Sequence, residues 1–240
     1  MIRLLTYNIH KGIGGRDRRC RIERIVEVIA QQNPDIVCLQ EVTRDCRRTH
    51  CQHQPRLLAE ALQMPQVLYQ MNVRYRQGGY GNAILCRWGI LQEGQLCLRQ
   101  RQRKPRGAQF AVIDTPQGPL SLVNWHLGLS DAERLWQTQR LLACDLLPVD
   151  GSPTLGAGDT NDWRGRLAKG PLAACGFREL TSPAGRFRTF PAWLPAGALD
   201  KCYARGPVYV HDVRRVVSRL ARVASDHLPL VVDFEIKDGK

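Results

Sequence analysis

The sequence predicts an α/β protein in which two β-sheets pack face to face, with helices on their outer faces. The first indication is the order of predicted elements, which mixes strand–helix–strand units with strand–strand hairpins. The second is the strand predicted over residues 2–10, which is largely apolar on both faces and is therefore expected to be buried on both sides. The third is that the 240 residues contain no internal repeat, low-complexity tract or linker, so we expect residues 1–240 to form a single domain.

The first half of the chain is predicted to contain two helices among several strands. The strand over residues 2–10 carries one polar exception, Asn8, near its end. Apolar residues at helical spacing predict a helix over residues 22–29, which stops before Asn33-Pro34. Further strands are predicted over residues 35–42, 67–73, 81–86, 90–98 and 108–114, and a short helix over residues 57–62.

The second half is predicted to contain one longer helix between strands. Ser130-Asp131-Ala132-Glu133 is a capping box that opens this helix, and its apolar stripe is predicted to consist of Leu135, Leu141, Leu142 and Leu146. A buried strand is predicted to end at Leu155, where Gly156 and Gly158 are expected to let the backbone turn sharply. The remaining predictions are strands over residues 119–127, 208–217 and 228–235 and one beginning at Leu199 and Asp200, a short helix over residues 167–174, and an irregular segment over residues 186–195.

Several features of the composition predict a cytoplasmic protein. No apolar run reaches 18 residues, so neither a transmembrane span nor stable membrane insertion is expected. The N-terminal residues lead directly into a predicted strand and do not resemble a signal peptide. The nine cysteines form no CxxC pair, and Cys38 and Cys86 lie inside apolar runs, which favours a reducing compartment. The oligomeric state is left open, with a monomer as the default.

The net charge of +13 predicts a polyanionic partner, either nucleic acid or an anionic phospholipid head group. Of the 35 basic residues, 29 are arginine, which suits bidentate contacts with phosphate. The alternative is that the arginine content only reflects the base composition of the genome. The basic segment, residues 99–106, is similarly open to two interpretations: it contacts phosphates, with Arg106 as a substrate-binding residue, or it is a solvated loop.

Polar residues stand at the end of a strand, or in the loop beside one, six times in this chain. Each of them, taken alone, is an ordinary cap, turn or surface residue, but six coincidences in one domain favour a common site. The residues concerned are Asn8, Glu41, His126, Asp159 with Asn161, Asp200, and Asp226 with His227.

The stretch Gly158-Asp159-Thr160-Asn161-Asp162 concentrates the most polar chemistry. On an extended backbone Asp159 and Asn161 point to the same side, where a carboxylate and an amide together can hold a metal ion, a water and a phosphate oxygen. Gly, Asp and Asn are also the commonest turn residues, so an ordinary turn is the alternative. Arg164, shortly afterwards, is a candidate substrate-binding residue.

A second polar loop contains residue types that bind metals. Cys46, His50, Cys51 and His53 lie close together, but their spacing matches no zinc pattern and no second pair of ligands is evident. We therefore interpret this group as a coincidence of composition.

Five motifs in this chain resemble, in order, those of the endonuclease/exonuclease/phosphatase superfamily, as in its short single-domain bacterial members. They are Tyr7-Asn8-Ile9-His10, Leu39-Gln40-Glu41-Val42, Asn124-Trp125-His126-Leu127-Gly128, Gly158-Asp159-Thr160-Asn161-Asp162 and Ser225-Asp226-His227-Leu228-Pro229-Leu230. The resemblance spans nearly the whole chain. It implies a DNase I-like four-layer αββα sandwich with one active site at the lip between the two sheets.

The resemblance also implies a role for each polar strand end. Glu41 would be the main ligand of Mg²⁺, or alternatively Mn²⁺, with Asn8 beside it and Asp226 completing the metal environment. Asp159 would orient or deprotonate the attacking water, and Asn161 would hold the phosphate or the nucleophile. His227 would bind or polarise the scissile phosphate, Asp200 would fix its tautomer, and His126 would contact the phosphoryl group or assist the leaving oxygen.

This sequence departs from the family pattern at three positions. Thr160 replaces the usual Phe or Leu between Asp159 and Asn161. Lys201 follows Asp200 where an aromatic or apolar residue is usual, which weakens the assignment of Asp200. His126 replaces the tyrosine of the apurinic-site repair branch, which favours the DNase-like and phosphatase-like branches.

The resulting hypothesis is a Mg²⁺-dependent phosphohydrolase, most readily a phosphodiesterase that cleaves by in-line attack of an activated water. Its substrate is predicted to be of the endonuclease/exonuclease type or of the phospholipid or phosphoinositide type. Trp193 and Leu194 are the residues expected to touch a bilayer in the second case. The alternative from another class is a catalytically inactive nucleic-acid-binding protein that retains the fold.

Overall fold

Two six-stranded β-sheets pack face to face in the computed structural model, which describes residues 1–148 and 151–237. The predicted α/β class with two packed sheets is thereby confirmed. No helix in these described ranges is long and apolar enough to cross a membrane.

Twelve strands and six helices make up the described structure. The strands are β1 Ile2–Asn8, β2 Ile36–Arg44, β3 Gln66–Arg74, β4 Gly79–Cys86, β5 Ile90–Cys97, β6 Gly107–Thr115, β7 Gly118–His126, β8 Thr154–Asp159, β9 Arg178–Glu179, β10 Asp200–Arg205, β11 Val208–Arg215 and β12 Leu230–Ile236. The helices are α1 Ile22–Ala30, α2 Gln54–Leu62, α3 Asp131–Leu142, α4 Arg166–Lys169, α5 Pro171–Ala174 and α6 Ala221–Ala224.

The two sheets have related topologies. The first has the strand order β11-β12-β1-β2-β4-β3, and the second has the order β5-β6-β7-β8-β10-β9. Each contains one parallel pair near its centre, β1 with β2 and β7 with β8, and the remaining pairs are antiparallel. Because parallel strands end on the same side, the carboxyl ends of each central pair lie at one edge of their sheet.

Three apolar clusters hold these layers together. One lies between the sheets, where alternate residues of facing strands meet, such as Leu4 and Cys38 with Leu122 and Leu155. Another packs α1, α2 and α6 on the outer face of the first sheet, and the third packs α3, α4 and α5 on the outer face of the second. The result is a four-layer arrangement of helices, sheet, sheet and helices.

The predicted sharp turn at Gly156 and Gly158 is wrong, because β8 continues through both glycines to Asp159. Their missing side chains make room for Trp125 on the neighbouring strand. A Cβ atom on Gly156 would lie 2.2 Å from the Trp125 ring, and one on Gly158, where φ is +142°, would lie 2.0 Å from the Trp125 carbonyl oxygen. These glycines therefore allow close packing of a strand, and the chain leaves the sheet only after Asp159.

Replacing Gly156 by alanine is expected to lower the free energy of unfolding by about 2 kcal/mol, because the new methyl group overlaps the buried Trp125 ring. Urea titration followed by tryptophan fluorescence measures this change. Gly89→Ala is the matched control, since a Cβ atom there meets nothing within 4 Å. Equal stability of the two variants would contradict the packing argument.

The apolar stripe predicted for α3 is confirmed only in part, because Leu141 is buried in the core and Leu142 packs against it. Leu135 is exposed, and Leu146 lies beyond the end of the helix at Leu142. The buried face of α3 is instead mostly polar. Gln137 shows why: its side chain accepts from the backbone N–H of Gly128 at 2.7 Å and donates to the Leu98 carbonyl oxygen at 2.9 Å. The helix covers loops, whose backbone groups require hydrogen-bond partners when they are buried. The other buried residues of α3 are Glu133, Arg134, Thr138 and Leu141.

Smaller differences concern the ends of elements. The first strand stops at Asn8 rather than residue 10, because His10 and Lys11 adopt left-handed backbone angles (φ +45° and +65°). The helix predicted over residues 167–174 is two short helices separated at Gly170. The short elements β9 and α6 were not predicted, since two to four residues carry too little periodicity to be recognised.

Candidate active site

The polar strand ends of the second sheet lie side by side. In the β7–β8 pairing His126 is opposite Asp159, and in the β8–β10 pairing Asp200 is opposite Asp159. In the first sheet, Asn8 at the end of β1 is opposite Gln40 of β2, immediately before Glu41. The register of the strands thus brings these side chains to the same edge of each sheet.

Asp159 is the point where the two edges meet. Asn8 donates from Nδ2 to Asp159 Oδ2 at 3.0 Å, which links the first sheet to the second. The Nε2 atoms of His126 and His227 lie 3.4 and 3.8 Å from the same oxygen. Burial raises the pKa of the Asp159 carboxyl, while the neighbouring His227 opposes that rise. The buried Asp159 carboxylate and the two histidines thus gather the titratable groups of the site around one oxygen.

Asp200 holds His227 from behind. His227 Nδ1 lies 2.8 Å from Asp200 Oδ2, which also accepts a hydrogen bond from the Thr189 hydroxyl at 2.5 Å. Burial lowers the pKa of His227, but Asp200 and Asp159 raise it by more, so the net shift is upward and the ring is an imidazolium at neutral pH. With Nδ1 bonded to Asp200, Nε2 is the nitrogen directed towards Asp159.

Lys201 does not disturb this arrangement. Its ammonium group is 2.7 Å from Glu179 Oε1, because successive residues of β10 point to opposite faces of the sheet. Asp200 therefore faces the space between the sheets whatever residue follows it.

His126 has the opposite charge state. Arg106 Nη1 is 2.6 Å from His126 Nε2, and both side chains are buried. Burial lowers the pKa of His126 well below its usual range, and the nearby Arg106 and Lys104 lower it further. The neutral ring accepts a hydrogen bond from the guanidinium group, which leaves the proton of the ring on Nδ1.

Glu41 lies at a bulge between β2 and β4, with a left-handed backbone (φ +57°) and a nearly buried side chain. Its described partner is the ammonium group of Lys11, which donates a hydrogen bond to Glu41 Oε2. Burial raises the pKa of Glu41, but Lys11 lowers it by more, so the carboxylate is ionised. Lys11 also lies 4.6 Å from the centre of the Tyr80 ring. The sequence prediction missed Lys11, although its position three residues after Asn8 was a usable signal.

The residues around Glu41 fit a hard divalent cation by the chemistry of their donors. Glu41 offers a buried, ionised carboxylate, and Asn8 Oδ1 accepts a hydrogen bond from the His10 backbone N–H at 3.1 Å. A magnesium ion needs few protein ligands because it keeps several waters. The cation present at Glu41 is the side chain of Lys11, so the site already attracts positive charge. No group of three or more His, Cys, Asp or Glu side chains able to hold a metal occurs within residues 1–148 and 151–237.

Asn161 departs from the expected extended geometry. Its backbone is left-handed (φ +51°), so it does not share a face with Asp159 by strand alternation. Instead its backbone N–H donates to Asp159 Oδ1 at 2.9 Å, and its side-chain Nδ2 donates to the Leu127 carbonyl oxygen at 3.0 Å. Asp162 braces the following loop by accepting from the Leu167 N–H at 2.9 Å. Asn161 therefore fixes the orientation of the Asp159 carboxylate.

Two of the predicted site residues lie apart from this cluster. Arg164 is largely exposed, and its Nη1 is 3.9 Å from Asp131 Oδ2. Asp226 faces His10, whose Nε2 is 3.8 Å from Asp226 Oδ2. Neither has a described contact with Asp159.

The cysteine and histidine residues of the loop after β2 make separate structural contacts. His53 caps α2, because its Nδ1 accepts from the Arg56 N–H at 3.3 Å. The Cys46 thiol is buried and contacts the Gly79 carbonyl oxygen at 3.1 Å. Cys51 is exposed, and the Gln77 amide approaches its sulfur at 3.4 Å. These contacts agree with the interpretation of the group as a coincidence of composition.

Aromatic rings connect the site to the surface, which the sequence prediction did not anticipate. The Phe190 ring lies 5.0 Å from the His227 ring, and Trp163 meets Phe190 edge-on at 6.2 Å. Trp163 is exposed. His227 therefore has an aromatic ring packed against it, and that ring is in turn in contact with the exposed Trp163.

A layer of buried amides lies beneath the site. Gln40 Nε2 donates to Asn124 Oδ1 at 2.8 Å and to the Thr6 hydroxyl at 3.2 Å, and Asn124 Nδ2 donates to Gln109 Oε1 at 3.0 Å. Asn82 donates to the Gly107 carbonyl oxygen at 2.9 Å. All of these side chains are inaccessible to solvent. The layer separates the apolar core between the sheets from the charged site above it.

Comparison with known proteins finds one matching family and a relative of similar length. The sequence profile of the Endonuclease/Exonuclease/phosphatase family matches residues 5–227. The protein YbhP of Escherichia coli K12 is 32% identical over 246 residues, which cover 98% of this chain and 96% of YbhP.

Solved structures share the fold. An endonuclease/exonuclease/phosphatase from Beutenbergia cavernae superposes with a TM-score of 0.81 at 21% identity, covering 98% of this chain and 71% of that one. The D. rerio TDP2 protein in complex with a single-strand DNA product gives a TM-score of 0.72 at 20% identity, with 98% of each chain covered. At these identities the likeness concerns the fold.

Proposed function

The chain belongs to the endonuclease/exonuclease/phosphatase family, and from this premise we propose that it is a divalent-metal-dependent phosphohydrolase that acts mainly on phosphodiesters. One observation carries the proposal: Asp159 is buried, is held by Asn8, and has the Nε2 atoms of His126 and His227 at 3.4 and 3.8 Å. Such an arrangement serves the hydrolysis of a charged ester, which needs a base for water and cations for the phosphoryl oxygens.

In this proposal Asp159 accepts the proton of the attacking water. Its pKa is raised by burial, which makes the carboxylate a better base than an exposed aspartate. Asn8 and the backbone N–H of Asn161 fix the orientation of its two oxygens. The attacking oxygen is thereby aimed at phosphorus from one side, as in-line displacement requires.

The two histidines serve different purposes because their charges differ. His227, held positive by Asp200, stabilises the negative charge on the phosphoryl oxygens and is the proton donor available to the leaving oxygen. Neutral His126 accepts from Arg106 and so positions that guanidinium group for the substrate phosphate. This assignment retains His126 in the site but gives the phosphate contact to Arg106.

Glu41 and Asn8 are the residues that would hold the metal ion. The ion supplies positive charge to the scissile phosphate and a bound water. Lys11, which now pairs with Glu41, contributes a second positive charge beside the same position. Asp226 and Arg164 remain candidates for the outer metal environment and for substrate binding, respectively, although neither has a described contact with Asp159 itself.

The substrate class favoured by the chain is a polyanionic phosphodiester. The net charge of +13 suits nucleic acid, and the structurally similar TDP2 protein has been captured with a DNA product. The second candidate is an anionic phospholipid or phosphoinositide, for which the exposed Trp193 and Leu194 are the favourable observation. A monomer in the cytoplasm remains the starting assumption for either substrate.

Purified protein is expected to hydrolyse bis-p-nitrophenyl phosphate with Mg²⁺ or Mn²⁺ and to lose that activity in EDTA. A panel of plasmid DNA, RNA, anionic phospholipid vesicles and inositol phosphates, each with and without metal, then identifies the substrate class. A salt titration adds a test, because binding through phosphate contacts weakens steeply with ionic strength. Salt-sensitive DNA binding without hydrolysis of any ester in the panel would favour the inactive binding protein instead.

A further inference from the structure

A cavity of about 500 Å³ lies between the loop after β2 and the turn that joins β3 to β4. Its lining contains three arginines and no carboxylate: Cys46, Arg47, Arg48, Tyr75, Arg76 and Gln77. We name it the arginine cavity.

The two loops that form the arginine cavity are tied together. Arg47 Nε donates to Gln77 Oε1 at 2.8 Å, and the Cys46 thiol contacts the Gly79 carbonyl oxygen at 3.1 Å. Gly78 has a left-handed backbone (φ +67°), and a Cβ atom there would lie 2.3 Å from the Arg44 carbonyl oxygen. The cavity is therefore formed by fixed backbone and is not a chance gap between free loops.

The charge of the arginine cavity is not balanced by the protein. Within residues 1–148 and 151–237, Arg47, Arg48 and Arg76 have no ion-pair partner within 4.0 Å, while the nearby Asp45 pairs with Arg44 at 3.6 Å. Three guanidinium groups around one space repel each other. An anion in the cavity removes that repulsion, and phosphate oxygens match the fork of a guanidinium group.

A chain of contacts connects the arginine cavity to the candidate metal ligand. The Tyr75 ring at the cavity lies 5.7 Å from the Tyr80 ring. The ammonium groups of Lys11 and Lys104 lie over the Tyr80 ring, at 4.6 and 5.6 Å from its centre. Lys11 in turn pairs with Glu41. Two aromatic rings and Lys11 thus connect the arginine cavity to the proposed metal ligand Glu41.

We propose that the arginine cavity binds a second phosphate group of the substrate, one that is not cleaved. This inference rests on the proposed function and narrows it: the preferred substrate carries at least two phosphates, as a nucleic acid strand or a polyphosphorylated inositol does. Tyr75, which is 52% exposed, provides a ring face at the cavity for the organic group between the two phosphates.

Binding in EDTA tests the second phosphate without any catalytic step. Calorimetry compares thymidine 3′,5′-bisphosphate with thymidine 5′-monophosphate, and inositol 1,4-bisphosphate with inositol 1-phosphate. We expect the bisphosphate of at least one pair to bind about tenfold more tightly, since several charged hydrogen bonds are added. The pair that shows the preference identifies the source of the phosphates. Equal affinities within both pairs would overturn the proposal.

The variant R47Q/R48Q/R76Q locates the second phosphate. The tenfold preference is expected to fall to about twofold or less in this variant. R140Q/R186Q/R219Q removes the same charge from three exposed arginines elsewhere and is expected to keep the wild-type preference. Because Arg47 also bonds to Gln77, the single variant R76Q is included, with a partial loss expected, and thermal melting checks the fold of each protein. A preference that survives in R47Q/R48Q/R76Q would show that the second phosphate binds elsewhere and would overturn the proposal.

The outcome remains distinguishable from failure of the proposed function. If the protein prefers bisphosphates through the arginine cavity but hydrolyses no ester, the binding site is supported and the proposed enzymatic function is contradicted. If the protein hydrolyses bis-p-nitrophenyl phosphate but shows no preference for a second phosphate, the enzymatic function is supported and the second-phosphate site is contradicted.

Discussion

Asp159→Asn is expected to reduce kcat for bis-p-nitrophenyl phosphate by about a thousandfold, the range typical of losing a general base. The amide keeps the size of the carboxylate and retains an oxygen for one of the two donors, Asn8 Nδ2 or the Asn161 N–H, but it cannot accept a proton from water. KM is expected to change little, because the proposed role of Asp159 lies in the chemical step. Steady-state kinetics at saturating Mn²⁺ measures both parameters.

Asp233→Asn is the matched control for this experiment. Asp233 is also nearly buried, but it lies on β12 opposite Arg3, at the end of the sheet away from Asn8, and its oxygens are 2.6 and 2.7 Å from Arg3 and Arg214. Removing the charge of Asp233 is expected to lower the free energy of unfolding, because a broken buried ion pair destabilises the fold. The variant is expected to keep kcat within about twofold of wild type. Similar kcat losses in both variants would indicate a general structural effect and contradict the role of Asp159.

Glu41→Gln is expected to weaken Mn²⁺ binding by about a hundredfold or more, since even residues behind the metal ligands often contribute tenfold to a hundredfold. The amide is neutral, and Glu41 offers the ionised carboxylate of the proposed metal site. Calorimetry or electron paramagnetic resonance of Mn²⁺ measures the affinity without substrate. Glu60→Gln, on the exposed face of α2, removes the same charge from a surface ion pair with Arg56 and is expected to leave the affinity unchanged.

Lys11→Met is expected to have the opposite effect on the same measurement. The ammonium group of Lys11 competes with the metal for Glu41, so its removal leaves a buried carboxylate without a partner in the metal-free protein. In this variant the metal pairs with a carboxylate that is buried without a partner, so binding gains more free energy than in the wild type. We expect the affinity for Mn²⁺ to rise by about tenfold. If neither Glu41→Gln nor Lys11→Met changed the affinity for Mn²⁺, the proposal that Glu41 binds the metal would be contradicted.

The sequence was sufficient to predict the two packed sheets and the strand ends that meet at Asp159. Both depend on information local to a segment, namely apolar alternation along each strand and short motifs at its end. His126 and Asp159 end the parallel strands β7 and β8, whereas Asp200 begins the antiparallel strand β10. The register of the three strands brings these residues together.

The remaining features depend on how distant segments are brought together. Arg106 was recognised as basic, but its contact with His126 follows from the pairing of β6 with β7. Lys11 reaches Glu41 only because the backbone turns left-handed at His10 and Lys11. The polar face of α3 follows from the loops beneath it, which no periodicity within the helix records.

The buried amide layer has a related origin. Gln40 and Asn124 contact each other across 84 residues of sequence and the gap between the sheets. In the sequence each resembles an isolated polar exception in an apolar strand, with no indication of its partner. Their pairing offsets part of the cost of burying them, although Gln40 Oε1 has no described hydrogen-bond partner, and it gives the charged site a hydrogen-bonded support that apolar packing does not provide.

The pairing of the first described strand with the last one determines when this site can form during folding. Ile2 of β1 lies opposite Phe234 of β12, and β12 also supplies β11 with its only described neighbour in the sheet. His227 lies shortly before β12, so a folding intermediate in which β12 has not yet paired with β1 lacks both the complete first sheet and the fixed position of this histidine. Contacts between such distant segments form slowly. The placement of His227 against Asp159 is therefore expected to be one of the last steps of folding.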